Sequence, residues 1–219
     1  MNKFNYKQYP VTCGLIAGCV IIYIYTSLKY SFDMTAMEGV KAGGYLPAAI
    51  YFDHEYSRFL TANFIHFGLL HLLMNMASLS NIGPFMEKIF GLKRYAVLIF
   101  GSALGTTVLP YLYYLVFEEP LSAAGLTVSG GASGIILGLL GGLCFLSWRY
   151  RGVYQKVFQS VVPSLLLVAL MSVAIPTVSL SGHLGGFVGG FLTAFLISKI
   201  NPNPLWEPTR YFSNNDYLN

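Results

Sequence analysis

Residues 131–149 read GASGIILGLLGGLCFLSWR, a run without a charged side chain until Arg149. Glycines recur in it every four residues, from Gly134 to Gly142. In a bilayer such an apolar run must be helical, because each backbone amide needs an internal partner. Glycines four residues apart form a stripe on which a second helix can lie in backbone contact. The segment therefore predicts a membrane helix that starts near Ser133 and packs closely against a neighbour.

A matching glycine stripe occurs further along the chain. Gly182, Gly186 and Gly190 recur at the same spacing, and His183 stands at the start of that segment. Two stripes of equal spacing predict that their helices touch, which neither stripe would indicate alone. A serine and a histidine would then be close enough for the hydrogen bond that a nucleophile and its base require.

Three polar residues within apolar segments share one predicted depth. His71, Ser133 and His183 each precede the next charged residue by 16 positions. The charged residues that follow them are Glu87, Arg149 and Lys199. At 1.5 Å per residue, all three side chains are predicted about 24 Å from the same membrane boundary.

The composition extends this interpretation to the whole chain. Of the 219 residues, 55% are hydrophobic and 10% are charged, against roughly a quarter charged in a soluble domain. Six apolar segments approach the roughly 20 residues that a membrane span needs. They are residues 11–28, 66–86, 95–117, 131–148, 157–174 and 183–198. We predict an all-α, polytopic membrane protein with a six-transmembrane-helix bundle at 11–200, a segment 1–10 before it and a tail 201–219 after it.

The basic residues agree with six spans. Ten of the 13 fall on one side of the predicted topology, and the positive-inside rule assigns that side to the cytoplasm. The other side has the 29–65, 118–130 and 175–182 loops. Both termini are therefore predicted to be cytoplasmic, and the net charge of +4 needs no nucleic-acid partner. The compact six-span form predicts a plasma (inner) membrane of bacterial type.

Two side chains on the second span are predicted to share a helix face with each other. His71 and Asn75 are four residues apart, whereas His66, five residues before His71, would point about 140° away. Donors at His71 and Asn75 could stabilise the oxyanion formed when a serine attacks a carbonyl. Hydrogen bonding between helices, without chemistry, is the alternative for this pair, and His66 is predicted to brace the loop.

Three segments together resemble the signature elements of rhomboid intramembrane serine proteases. They are HFGLLHLLMN at 66–75, GASG at 131–134 and GHLGG at 182–186. Their order and helices correspond to those of the family, and the resemblance extends from about residue 10 to residue 200. Each motif is weak alone, whereas the three together are highly specific.

The resemblance implies a site. It implies a Ser133–His183 dyad without a third acidic member, and an oxyanion hole from the Ser133 backbone amide with His71 and Asn75. Other residues are implied to support the site structurally. These are Arg58, similar to the arginine of a family loop element, Glu87, similar to a carboxylate that steadies the second helix end, and Gly131, Gly134, Gly186 and His66.

Two positions depart from the family pattern. Ser57 stands where a tryptophan is common, and Leu137 stands where many members have a tyrosine beside the catalytic histidine. The second departure concerns how firmly His183 is held, and therefore the rate.

Competing functions can be weighed by what the sequence lacks. A zinc intramembrane protease needs a His-Glu-x-x-His helix, an aspartyl protease needs two carboxylates within spans, and a serine–lysine dyad needs a lysine beside Ser133; none is found. We therefore expect no metal or other cofactor. The main alternative is a non-proteolytic rhomboid-like protein that binds and escorts transmembrane helices, and a small-molecule transporter is disfavoured by the uncharged spans.

The predicted activity is cleavage of transmembrane segments of other membrane proteins, near the non-cytoplasmic side of the bilayer. Because a substrate helix must unwind to expose a carbonyl, we expect small residues at the cut and helix-breaking Gly or Pro beyond it. The 29–65 and 175–182 loops are predicted to wall and cover the site.

Overall fold

The computed structural model describes residues 8–150, Tyr154, Gln159 and 179–200. Nearly all regular structure in these residues is helical. In chain order the α-helices are α1 (Pro10–Lys29), α2 (Ala36–Ala42), α3 (Pro47–Phe52), α4 (Arg58–Thr61), α5 (Leu69–Phe90), α6 (Leu92–Phe117), α7 (Ala123–Leu126), α8 (Ser133–Arg149) and α9 (Leu180–Ile200).

Five of the six predicted spans have a helical counterpart, and the sixth, at 157–174, lies outside the described residues except for Gln159. By length and composition, α1, α6 and α9 are each able to cross a membrane. A fourth span is added when α4, the 3₁₀ turn Ala62–Phe64 and α5 are counted together. The chain is thus a membrane protein of the predicted fold class, while the count of six and the domain boundaries stay predictions.

The second span begins later than predicted. Gly68 is extended, with φ −165° and ψ 162°, and helix α5 starts after it. The chain bends by 93° between the α4 segment and α5. His66 therefore lies before the helix, and its predicted position on the far face of that helix is wrong.

The N-terminus of α1 is bound by a carboxylate near the C-terminus of α5. Glu87 is buried, and its two oxygens accept hydrogen bonds from the backbone of Val11 at 3.0 Å and of Thr12 at 2.9 Å. The Thr12 hydroxyl donates to the same carboxylate at 2.7 Å. Since the first amides of a helix lack internal acceptors and carry partial positive charge, Glu87 both caps α1 and ties it to α5.

Helix α9 lies between α8 and α6 with its backbone against both. A Cβ added at Gly186 or Gly190 would meet the backbone of α8, at Gly134 and Gly138 respectively. The predicted stripe pairing is confirmed at these four glycines. The other two glycines of the predicted stripes do not take part in this pairing. A Cβ at Gly142 would face side chains of α5 and α6, and a Cβ at Gly182 would face Ser179 and the backbone of α6.

A second glycine pairing, absent from the sequence-based prediction, holds the other side of α9. A Cβ at Gly185 or Gly189 would meet the backbone of Gly105 on α6, and Gly189 also meets that of Gly101. Adjacent glycines on α9 therefore contact two different helices, α6 and α8. This arrangement lets three helices approach at backbone distance, which small-residue stripes permit in membranes.

The 29–65 connection has regular structure of its own. It contains α2, α3, α4 and a 3₁₀ turn, and α2 begins with a capping box between Thr35 and Glu38. We refer to the end of the bundle where this connection lies as the loop side.

Candidate active site

Helices α8 and α9 bring the predicted dyad together. Ser133 is the first residue of α8, and its Oγ lies 2.7 Å from Nε2 of His183 on α9. His183 is buried, with 7% of its surface exposed. Ser179 precedes it and caps α9 by accepting a hydrogen bond from the Gly182 amide at 3.0 Å. The hydroxyl and imidazole are thus within normal hydrogen-bonding distance of each other.

His71 of α5 lies beside the serine, across from a glycine. Gly131 has φ +121°, a conformation that favours glycine, and a Cβ there would lie 2.8 Å from the His71 ring. The same Cβ would be 3.9 Å from Ser133 Oγ. Gly131 is therefore required twice, for its backbone conformation and for the close approach of the imidazole.

The turn that precedes Ser133 is held by three backbone contacts. Ala132 N–H donates to Nε2 of His66 at 3.4 Å, and Gly131 N–H donates to the carbonyl of Ala62 at 2.9 Å. Two residues before Gly131, Ser129 forms an antiparallel bridge with Tyr45, through hydrogen bonds of 2.7 and 3.1 Å. His66 thus contacts the turn directly, in agreement with a bracing role, and its ring packs edge-on to that of His71 at 5.1 Å.

Arg58 supports the far side of that bridge. Its guanidinium is buried and donates to the carbonyls of Val40 at 2.9 Å and Gly44 at 2.6 Å. It also forms an ion pair with Glu55. Gly44 adjoins the bridging residue Tyr45, so Arg58 acts on the site through the loop and not by contact. The neighbouring Ser57 is exposed and is the N-cap residue of α4.

Asn75 lies one turn from His71, away from the dyad cavity. It is buried, and its Nδ2 donates to the His71 carbonyl at 2.8 Å. Asn75 is not among the described residues that line the cavity beside the dyad. The side-chain amide of Asn75 has a second N–H. This N–H is available to donate to a bound substrate that extends as far as Asn75. Leu137, one turn after Ser133, is buried in the main hydrophobic core.

A small cavity adjoins the dyad and contains two polar groups that the sequence did not single out. Its volume of about 30 Å³ is enough for a water molecule, which needs roughly 10–15 Å³ by the same measure. Asn63 and Tyr45 both line it, and both are buried. Within the described part of the chain, Asn63 Oδ1 and the Tyr45 hydroxyl have no hydrogen-bond partner.

The two groups have complementary hydrogen-bonding capacities. Nδ2 of Asn63 is directed at backbone carbonyls, the nearest at 3.3 Å, which leaves Oδ1 as an acceptor in the cavity. Burial raises the pKa of the Tyr45 phenol above its usual range, so the phenol stays protonated and can donate. Buried polar atoms without partners are costly unless water satisfies them. No local motif marks either residue, because their position follows from the tertiary fold.

Comparison with known proteins shows which family this chain belongs to. A family model for the Rhomboid domain matches residues 53–200. This chain belongs to the rhomboid family. Relatives in Arabidopsis thaliana include RHOMBOID-like protein 4, which is 38% identical over 94 residues, or 42% of this chain and 21% of that protein. Inactive RHOMBOID-like protein 8 from the same plant is 34% identical over 101 residues, or 46% of this chain and 26% of the relative.

A bacterial rhomboid is also similar. Rhomboid protease GluP of Bacillus subtilis (strain 168) is 25% identical over 135 residues, which are 62% of this chain and 24% of GluP. The chain thus spans about a quarter of the length of these three relatives. Because the rhomboid relatives include proteins named as a protease and as inactive, the site residues must carry the functional argument.

Proposed function

We propose that this rhomboid protein is an intramembrane serine endopeptidase, with Ser133 as nucleophile and His183 as general base. The observation that carries the proposal is the 2.7 Å separation of Ser133 Oγ and His183 Nε2. This is the distance at which a histidine can take the proton of an attacking serine. Family membership alone leaves activity open, since a relative 34% identical is named inactive.

The reaction proceeds by acylation and deacylation. Ser133 Oγ attacks the substrate carbonyl carbon while His183 Nε2 takes the hydroxyl proton. The C–N bond then breaks as the imidazolium returns the proton to the leaving amine. A water molecule, deprotonated by the same imidazole, attacks the acyl ester and releases the carboxyl product with regeneration of the serine.

The oxyanion is stabilised at the start of α8. Amides in the first turn of a helix have no internal acceptor and favour negative charge, which makes the Ser133 N–H a donor for the tetrahedral intermediate. The His71 ring, packed against Gly131, is the second donor. Asn75 contributes by orienting His71 through its backbone carbonyl or by direct contact with bound substrate. Donors of this kind are each worth about 3–4 kcal/mol in measured cases.

The cavity beside the dyad supplies the water for deacylation. Asn63 Oδ1 accepts one hydrogen of that water, and the Tyr45 hydroxyl donates to its oxygen. The site is lined by small residues such as Gly130 and Gly182, and the close packing around the dyad favours substrates with a small side chain at the cut.

The substrates are transmembrane segments of other membrane proteins, which reach the site laterally and are cut near the non-cytoplasmic side. Ser133 begins an apolar helix at the loop side of the bundle, and both termini would then lie in the cytoplasm. A bacterial plasma membrane fits this arrangement.

The test is cleavage of a fluorogenic model transmembrane substrate by purified protein in vesicles. Wild type should cleave it, whereas Ser133→Ala and His183→Ala should each reduce kcat by at least about 1,000-fold. Ser80→Ala provides the matched control, because Ser80 is an exposed serine on α5 whose hydroxyl donates to the Ala77 carbonyl within its own helix. Wild-type protein that binds the substrate without cleaving it would favour the escort function instead.

A further inference from the structure

A separate cavity of about 450 Å³ lies at the loop side, between α1 and the segment that leads into the site. Ile22 of α1 forms part of one apolar wall, and Phe64 and Ile65 form part of the opposite wall. Two lysines, Lys29 and Lys41, complete the lining at the end of α1 and at the end of α2. The catalytic residues do not belong to this lining.

The cavity is polar at one end and apolar at the other. Lys29 is the last residue of α1, and Ile22 lies seven residues earlier on the same helix face, about 10 Å deeper in the membrane. The adjoining face of α1 exposes large apolar side chains such as Ile21 and Leu28, which is typical of a surface in contact with lipid. A lipid-accessible slot therefore ends in positive charge at the membrane boundary.

The two lysines are the unpaired basic residues of the loop side in the described chain. Arg58, the third basic residue there, is bound to Glu55 and to backbone carbonyls. Neither lysine forms an ion pair among the described residues, and their cavity has no acidic residue in its described lining.

Neighbouring groups hold these lysines in place. The Lys29 ammonium lies over the rings of Tyr25 and Tyr30, at 5.7 and 5.3 Å from their centroids. The Tyr30 hydroxyl donates to the backbone carbonyl of Lys41 at 3.2 Å, which links the two positions. Glu38 lies on the same helix as Lys41 and attracts it through space, but its carboxylate is bound to Thr35 at 2.8 Å and Ser31 at 3.2 Å and is not part of the described cavity lining.

We infer that this cavity binds an anionic phospholipid, with the phosphate between Lys29 and Lys41 and an acyl chain against Ile22 and Phe64. Two ammonium groups in a described lining without a carboxylate favour an anion, and the apolar walls favour an attached chain. A free phosphate would leave the apolar surface unused, and a zwitterionic lipid would bring no net charge to the lysines.

Occupancy of this cavity acts on a wall that continues into the catalytic region. Phe64 and Ile65 precede His66 directly, and His66 contacts the turn before Ser133. A lipid packed against this wall restrains the bent segment before α5. Binding therefore raises the thermal stability of the folded protein, whether or not the protein cleaves substrates.

The experiment measures lipid retention by native mass spectrometry of the full chain, with phosphatidylglycerol and phosphatidylcholine of equal chain length. We expect phosphatidylglycerol to bind preferentially and to raise the melting temperature. Lys29→Gln combined with Lys41→Gln should weaken phosphatidylglycerol binding about 30-fold, since each basic residue near an anionic lipid contributes roughly fivefold. Both lysines are exposed, so the variant should fold, and the single Lys41→Gln change should give an intermediate effect.

The control variant removes two charges elsewhere. Lys93→Gln combined with Lys199→Gln changes the opposite end of the bundle and should leave lipid retention unchanged. Equal retention of the two lipids, or equal loss in both double variants, would overturn the inference. Full displacement of the lipid by glycerol phosphate would also overturn it, because the site would then bind an anion without needing a chain.

Discussion

Replacement of Gly186 by alanine tests the link between helix packing and the dyad. Gly186 lies on α9, where an added Cβ would be 2.8 Å from the carbonyl carbon of Gly134 and 2.8 Å from Thr106 Oγ1. The Gly134 carbonyl oxygen would be closer still. Real Cβ atoms essentially never approach other heavy atoms below 3.0 Å. Because the obstacle includes backbone, a side-chain rotation cannot relieve the overlap.

The magnitude follows from the distances. Ordinary Cβ contacts begin at 3.4 Å, so the carbonyl carbon alone requires a retreat of about 0.6 Å, and the nearer carbonyl oxygen requires more. His183 is one turn from Gly186 on the same helix, and an equal shift would lengthen its 2.7 Å contact with Ser133 to at least about 3.3 Å, at or beyond the limit for a hydrogen bond. Overpacking costs about 1–3 kcal/mol of stability, and misplacement on this scale costs roughly 10- to 100-fold in rate.

The assay combines kcat for the fluorogenic substrate with the thermal midpoint in detergent. Gly14→Ala is the matched control, since a Cβ at this position of α1 would meet nothing within 4 Å. It should keep wild-type activity and gain slightly in stability, because alanine favours a helix over glycine by about 1 kcal/mol. Wild-type kcat and midpoint in Gly186→Ala would refute the argument that backbone contact of α8 and α9 sets the dyad geometry.

Three further changes test other parts of the site. Gly131→Ala should lower the free energy of unfolding by about 1–3 kcal/mol, and it should lower kcat at least tenfold by displacing the His71 ring. Gly91→Ala is the control, because Gly91 has φ +71° but open space around an added Cβ. This control measures the backbone strain alone and should keep wild-type activity. Asn63→Leu should slow deacylation about tenfold, visible as a burst of the first product before a slower steady state, and an unchanged time course would remove Asn63 from water binding. Glu87→Gln should lower the thermal midpoint by the equivalent of about 1–3 kcal/mol with little change in kcat, and equal midpoints would mean that the α1 clamp contributes nothing.

The sequence predicted the parts of the site that repeat or stand out chemically. Ser133, His71 and His183 are polar residues in apolar runs, where such residues are costly and therefore few. Each of them precedes the next charged residue by the same number of positions, which predicted a common depth in the membrane. The structure brings the three side chains together. The Gly101 and Gly105 pair was available to the same reasoning as the other stripes, because its four-residue spacing matches Gly185 and Gly189.

Other features depended on contacts that no local pattern encodes. The late start of α5 follows from the extended backbone at Gly68, and this placed His66 in the bend before the helix. Tyr45 and Asn63 reach the cavity because the connecting segment folds back onto Ser129 and Gly131. A residue whose role depends on such a return of the chain resembles an ordinary loop residue in the sequence.

The two-sided glycine packing of α9 has a consequence for how the protein responds to its surroundings. The contacts that fix this helix are made by uncharged backbone, at Gly185 and Gly189 toward α6 and at Gly186 and Gly190 toward α8. Steric fit of this kind does not change with proton concentration or ionic strength. The alignment of His183 should therefore persist across acidic, alkaline and saline conditions, and any pH profile of turnover would report the ionisation of the reacting groups rather than the loosening of their scaffold.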